Sequence, residues 1–368
     1  MLRLLRRVLP WVPVAAALLL LLAPIDPALV ERWYSGRLYL QLQPRATALS
    51  NRIPFAAFDL ILVATVAIVV WILTAAVRGL RRGQRWRAAG IAALRLLATG
   101  ACLYLWFLAA WGLNYRRVPL LERLELAHEA PTPATVVALG RQAVDRLNEL
   151  HGVAHAAPWV DPSEDGELQR AFRVTQRYFG KRKALPGRLK SSIIGPYFRW
   201  ASVDGMTDPF ALEVLANPDL LPFEKPFVAA HEWSHLAGYA DESEANFVGW
   251  LTCVRASAGA QYSAWLFLYW EVSSVVSAVD RAALAAALGP GPRADVAAVT
   301  ERVRRGQLPQ LRRVSWAAYD QYLKANRVES GVRSYDAVIT LLTRARFKKD
   351  WVPVRLRAPH DTTRGGTP

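Results

Sequence analysis

Apolar positions in this chain fall into two textures. Up to about residue 115 they form three nearly unbroken runs, from about Val8 to Ile25, Phe55 to Val77 and Ala88 to Leu113. Each is near or above the ~18–20 residues a helix needs to cross a hydrocarbon core, so the pattern predicts three transmembrane helices. The first run follows Arg3, Arg6 and Arg7, as a secretory signal would. No A-x-A site comes after it and two further runs do, so it reads as an uncleaved span. Asp59 lies near one end of the second run. Arg95 lies inside the third, where its side chain can snorkel; a pairing of the two across the bundle stays open.

Beyond Tyr115 apolar residues recur at helical spacing and are interrupted by Pro and Gly. Thr132 offers a cap for a helix over 134–151, with Val136, Leu139, Val144 and Leu147 on one face. A second helix is expected over 164–180, short strands within 189–203, and a strand over Phe210–Ala216. A helix then opens at Phe223, runs through Trp233 to Leu236 and stops at Gly238. Helices dominate from Glu242 to Val279, and again over Ala294–Arg305, Ser315–Ala325 and Asp336–Arg346. Glu271 interrupts the apolar stretch Tyr262–Val279, which argues against a fourth span.

Composition narrows the class. Apolar residues make up 53% of the 368, which excludes a disordered chain. Two cysteines in this length exclude a disulfide scaffold; Cys102 and Cys253 read as small buried hydrophobes. The 46 Lys+Arg against 30 Asp+Glu give a net charge of +16. Arginines cluster between the apolar runs, so the partner they imply is a lipid bilayer and not nucleic acid. Five arginines lie in the ten residues Arg78–Arg87, and three within the first seven. The longer loop Glu31–Arg52 has four, spread out. Lys/Arg asymmetry therefore places the N-terminus and the 78–87 loop in the cytoplasm and everything after Tyr115 outside it.

Two of only six histidines fall in His231-Glu232-Trp233-Ser234-His235. On a helix, positions i and i+4 share a face, so both imidazoles can reach one ion, and Glu232 beside them can take a proton from a water that the ion holds. A catalytic zinc site wants a third protein ligand. Asp241 satisfies a His-x-x-Gly-x-x-ligand spacing. Glu242 satisfies the alternative of a carboxylate on a second helix, with Asn246 one turn on to support a ligand and Ala245 leaving room for close packing. Glu244 is the third choice. His128, His151, His155 and His360 read as surface or loop residues.

Glu242-Ser-Glu244-Ala245-Asn246 resembles the E-x-E-A-D element that follows HExxH in M48-type gluzincin metallopeptidases. Trp111-Gly112-Leu-Asn114-Tyr115, His231–His235, Gly238-Tyr239 and Glu242–Phe247 together resemble the DUF3810 family of bacterial membrane proteins. Tyr262-Ser263, Tyr319-Asp320-x-Tyr322-Leu-Lys324-x-Asn326 and Gly331–Tyr335 extend that likeness. The resemblance implies a mainly α fold: a membrane domain over 1–115, then an α+β zincin-like domain over 116–368 with a small sheet and a helical C-terminal part. It also implies Zn²⁺ held by His231, His235 and Glu242. The activity expected is hydrolysis of a peptide or protein substrate in the bacterial inner membrane, with Glu232 as the base and Tyr262 or Tyr335 donating to the oxyanion. Where M48-type enzymes have Asp, this chain has Asn246, which keeps open a scaffold that has lost its chemistry. A transport or assembly subunit with an incidental HExxH is a further alternative.

Overall fold

The computed structural model describes residues 9–181, 183–326 and 337–356. The first apolar run is helical from Trp11 to Leu22 (α1). The chain then bends by 112° into a second helical stretch, Pro27–Arg52 (α2). Asp26 caps that start by accepting from the Ala28 amide, and Pro27 costs nothing at a first helical position. Helices Ala57–Arg81 (α3) and Arg85–Ala110 (α4) form a hairpin around Gly83, whose φ of +79° an L side chain would resist. Both are long and apolar enough to cross a membrane, and the bent pair α1–α2 makes up to a third span. The outward side chains of α3, among them Leu60, Val63, Val66, Val70 and Trp71, are exposed, which suits lipid contact. Asp59 and Arg95 do not pair. Asp59 accepts from Ser192 Oγ at 2.5 Å and the Ile193 amide at 3.1 Å, while Arg95 lies over the Trp71 ring.

The expected loop Glu31–Arg52 is a helix, π-wound over Val30–Leu38. Its buried face carries Ser35, Tyr39, Gln43 and Thr47 at intervals of one turn. Gln43 and Thr47 reach backbone groups of the loops below. Gln43 donates to Leu185 O at 2.8 Å and accepts from its amide at 3.1 Å; Thr47 donates to Leu212 O at 2.8 Å.

After α4 the chain builds helices Pro133–His155 (α5) and Gly166–Tyr178 (α6), capped by Thr132 and Asp165. Of the strands expected within 189–203, only Leu189–Lys190 (β1) forms. Gly195-Pro196 instead opens a short helix, Gly195–Ala201 (α7). Gly205–Asp208 (β2) and Glu213–Ala216 (β3) complete a three-stranded sheet of order β1-β3-β2, with β3 parallel to β1 and antiparallel to β2. The strand expected over Phe210–Ala216 thus starts only at Glu213. Asp208 holds Phe210 and Ala211 in a turn by accepting from both amides. β3 is flanked on both sides, so the edge strands are β1 and β2.

The remaining helices are Lys225–Leu236 (α8), Glu242–Cys253 (α9), Ala258–Val275 (α10), Ala278–Ala287 (α11), Pro290–Gly306 (α12), Pro309–Ala325 (α13) and Ala337–Arg344 (α14). One apolar core joins Trp233, Trp250, Phe172 and Leu147 to Tyr39, Phe107 and Trp111 from the N-terminal third. α10, which carries Glu271, is mostly buried in this core. Cys253 is buried as expected, but Cys102 is exposed on the apolar surface of α4.

Candidate metal centre

α8 presents His231 and His235 on one face. α9 crosses it so closely that a Cβ at Gly249 would stand 2.9 Å from the His231 amide nitrogen, and Ala245, one turn earlier, is fully buried. This crossing brings Glu242 to the histidines. Its Oε2 lies 3.3 Å from His231 Nε2 and 3.5 Å from His235 Nε2, and the two nitrogens are 3.1 Å apart. Tetrahedral zinc with ligand distances of about 2.0–2.2 Å spaces its donors by about 3.3–3.6 Å. Two sides of the donor triangle match one face of such a tetrahedron, and the nitrogen–nitrogen side is slightly short of it.

Neighbouring groups aim the donors. His235 Nδ1 is 2.7 Å from Tyr239 O; a carbonyl can only accept, so Nδ1 carries a proton and Nε2 faces the centre, where it offers a lone pair once deprotonated. Tyr319 from α13 donates to Glu242 Oε1. That leaves Oε2, buried and without a hydrogen bond among the described residues, facing the imidazoles. Burial alone would raise the Glu242 carboxyl, but the two imidazoles outweigh it and hold it well below the usual carboxylate range. Against the same burial, Glu242 pushes His235 up to about 9.

Glu232 is buried, and burial raises its carboxyl despite the opposing pull of both histidines. Thr207 of β2 donates to its Oε2 at 2.9 Å and also reaches its carbonyl. A Cβ at Gly205 would lie 2.7 Å from Glu232 Oε1, so only glycine lets the strand pass this close.

The end of α8 is held by the N-terminal third. Trp111 Nε1 donates to His235 O at 2.8 Å, Tyr39 to Leu236 O at 2.7 Å, and Arg117 to Gly238 O at 2.8 Å. These bonds, with the Gly238 amide that also donates to His235 O, pair carbonyls at the end of the helix. Gly238 has φ +86°, and a Cβ there would meet Asn114 Oδ1 at 2.9 Å. The Trp-Gly-x-Asn-Tyr element is thus the seat of α8.

The other candidates do different work. Asp241 caps α9, accepting from the Ser243 and Glu244 amides. Glu244 accepts from the Leu120 amide beside Arg117; burial, ahead of that cation's pull, raises it to about 7. Asn246 is buried one turn beyond Glu242, but no hydrogen bond joins it to either histidine. Its Nδ2 and His231 Nδ1 both lack a partner among the described residues. Tyr262 is committed elsewhere: its hydroxyl donates to Asp295 at 2.5 Å, next to His151 and His155. His155 is exposed and His151 half-buried, and with Asp295 they form a second cluster. Tyr335 and His360 lie outside the described residues. Tyr319, Thr207 and Gly205 were not assigned roles from the sequence; Tyr319 alone stood within a family-like element.

No curated protein and no solved structure matches this chain. A family profile described as "Protein of unknown function (DUF3810)" matches residues 34–343, a span containing α3, α4 and every residue of the centre. The chain that seats an HExxH helix on a Trp-Gly-x-Asn-Tyr turn belongs to the DUF3810 family.

Proposed function

We propose that this protein is a membrane-anchored zinc metallopeptidase with a zincin-like site of the M48 gluzincin kind, acting on a peptide or protein substrate. The observation that carries the reading is the triangle of His231, His235 and Glu242 donors with a buried Glu232 alongside. Zinc, when bound by these three residues, supplies a Lewis acid that polarises a scissile carbonyl and makes water more acidic. Glu232 is the proton carrier. Its burial-raised carboxyl suits a group that takes a proton from water and returns it to the leaving amine. Thr207 fixes the orientation of that carboxylate, and Tyr319 fixes Glu242. The open edge of β2 runs past Glu232, so an extended peptide pairing there would bring its carbonyl to the site.

The orientation proposed is N-terminus and the 78–87 segment in the cytoplasm, with the centre outside the bacterial inner membrane. Contacts from the soluble part gather at one end of the helices: Arg116 donates to Leu20 O, Ser192 to Asp59, and Tyr322 packs on Phe107. The arginine-rich turn is at the other end.

Peptide hydrolysis by the purified full chain tests the reading. Glu232→Gln should lower the rate by about 10²–10⁴-fold while zinc content stays that of the parent; an unchanged rate would contradict it. The unpartnered Nδ1 of His231 favours a second reading, a zinc-holding scaffold, because ligand histidines are normally steadied through that atom. That reading requires a zinc-loaded parent that hydrolyses nothing.

A further inference from the structure

A second set of donors converges at the other end of α8's neighbourhood. His151 and His155 lie one turn apart on α5 with their rings stacked, centroids 4.3 Å apart. Asp295 comes from α12, and its Oδ2 is 3.0 Å from His155 Nε2 and 3.5 Å from His151 Nε2. The same oxygen accepts from the Tyr262 hydroxyl of α10 at 2.5 Å. A carboxylate oxygen offers two in-plane lone pairs. Tyr262 uses one, so two ring nitrogens compete for the other. An ion bridging Oδ2 and both imidazoles would satisfy all three groups, whose donor atoms all lie within 4.8 Å of one another.

The surroundings are shaped for such a cluster. A Cβ at Gly291 would fall 2.3–2.6 Å from the His151 ring, so a side chain there would push the ring from its place against the first turn of α12. Asn148 anchors that turn by accepting from the Gly289 amide at 2.7 Å and donating to Ala287 O at 3.0 Å. Trp159 and Phe223 wall the His155 ring. We propose that His151, His155 and Asp295 form a second, structural site for a zinc-class divalent transition-metal ion, with the Tyr262 hydroxyl orienting Asp295. Two imidazoles and a carboxylate favour that class over calcium or magnesium. The ion would pin α12 to α5, and α12 leads directly into α13, which carries Tyr319 to the first centre.

The test is zinc per chain in the untagged full-length protein in detergent, stripped by chelator, reloaded with Zn²⁺ and desalted. The parent should hold about two ions; His155→Ala and His235→Ala should each lose one, a different one, so the double variant should hold none. Asp295→Asn, which keeps side-chain volume and an acceptor for Tyr262, should also lose one, so a folding defect in His155→Ala cannot decide the matter. A parent with one zinc that survives Asp295→Asn and His155→Ala but not His235→Ala overturns the second site. One zinc lost in His155→Ala and kept in His235→Ala would instead overturn the first centre and leave the second standing.

Discussion

At the scale of single residues, the candidate centre depends on groups that aim others. Tyr319 is the clearest case, because it occupies one oxygen of Glu242 and turns the other to the histidines. Removing such a hydrogen bond from a ligand typically costs 10–100-fold in metal affinity. Tyr319→Phe should therefore weaken zinc binding by about that factor, read by chelator competition, with little change in unfolding midpoint; unaltered affinity would remove Tyr319 from the centre. The histidines, Glu232 and Glu242 were legible in the sequence because their spacing encodes a shared helix face. Tyr319 lies 77 positions from Glu242, and no local pattern connects the two. Tyr262 misled for the same reason. Its position one helix beyond Glu242 says nothing about direction, and its hydroxyl faces Asp295.

At the scale of elements, α2 shows why hydrophobic periodicity missed a helix. Its buried stripe is Ser35, Tyr39, Gln43 and Thr47, largely polar residues at helical spacing. A search for apolar faces passes over such a stripe and reads a loop. The stripe ends at a buried ion pair. Lys190 Nζ of β1 donates to Glu213 Oε2 of β3 at 2.7 Å and to Ser50 O and Oγ at 2.8 and 2.9 Å. Glu213 Oε1 accepts from the Phe58 amide at 2.8 Å, which ties in the start of α3. Both charges are almost fully buried. Deleting one partner strands the other, at a cost of about 3–5 kcal/mol. Lys190→Met should lower the unfolding free energy by about that amount, whereas Lys190→Met with Glu213→Leu should recover much of it. A single variant as stable as the parent would show that the pair does not hold the junction.

At the scale of the whole molecule, the apolar core runs from the N-terminal helices into α8 and α9 without a break, so the seat of α8 and the long apolar helices pack as neighbours. Stability should then carry the signature of a buried carboxyl near the sheet. Burial raises Asp208 from the usual 3.8 to about 6, more than its two backbone hydrogen bonds lower it. The folded state holds that proton more tightly than the unfolded chain. Its contribution is full below the unfolded value near 4 and is lost as pH rises through about 6. The loss amounts to about 3 kcal/mol at 1.36 kcal/mol per unit. Unfolding followed between pH 4 and 7 should show that decline in the parent and lack it in Asp208→Asn; parallel profiles would contradict the assignment. The three apolar runs and most helices were legible because their patterns are local. The sheet order was not, since β1 and β3 pair across 25 residues through register alone.

The central claim is that His231, His235 and Glu242 hold zinc. The most direct measurement is zinc content of the full chain in a His155→Ala background, where only that centre remains, with and without Glu242→Gln. The account predicts about one zinc per chain that Glu242→Gln reduces to a small fraction under the same desalting. A folded His155→Ala chain that holds no zinc, or holds it equally with Gln at 242, would contradict it.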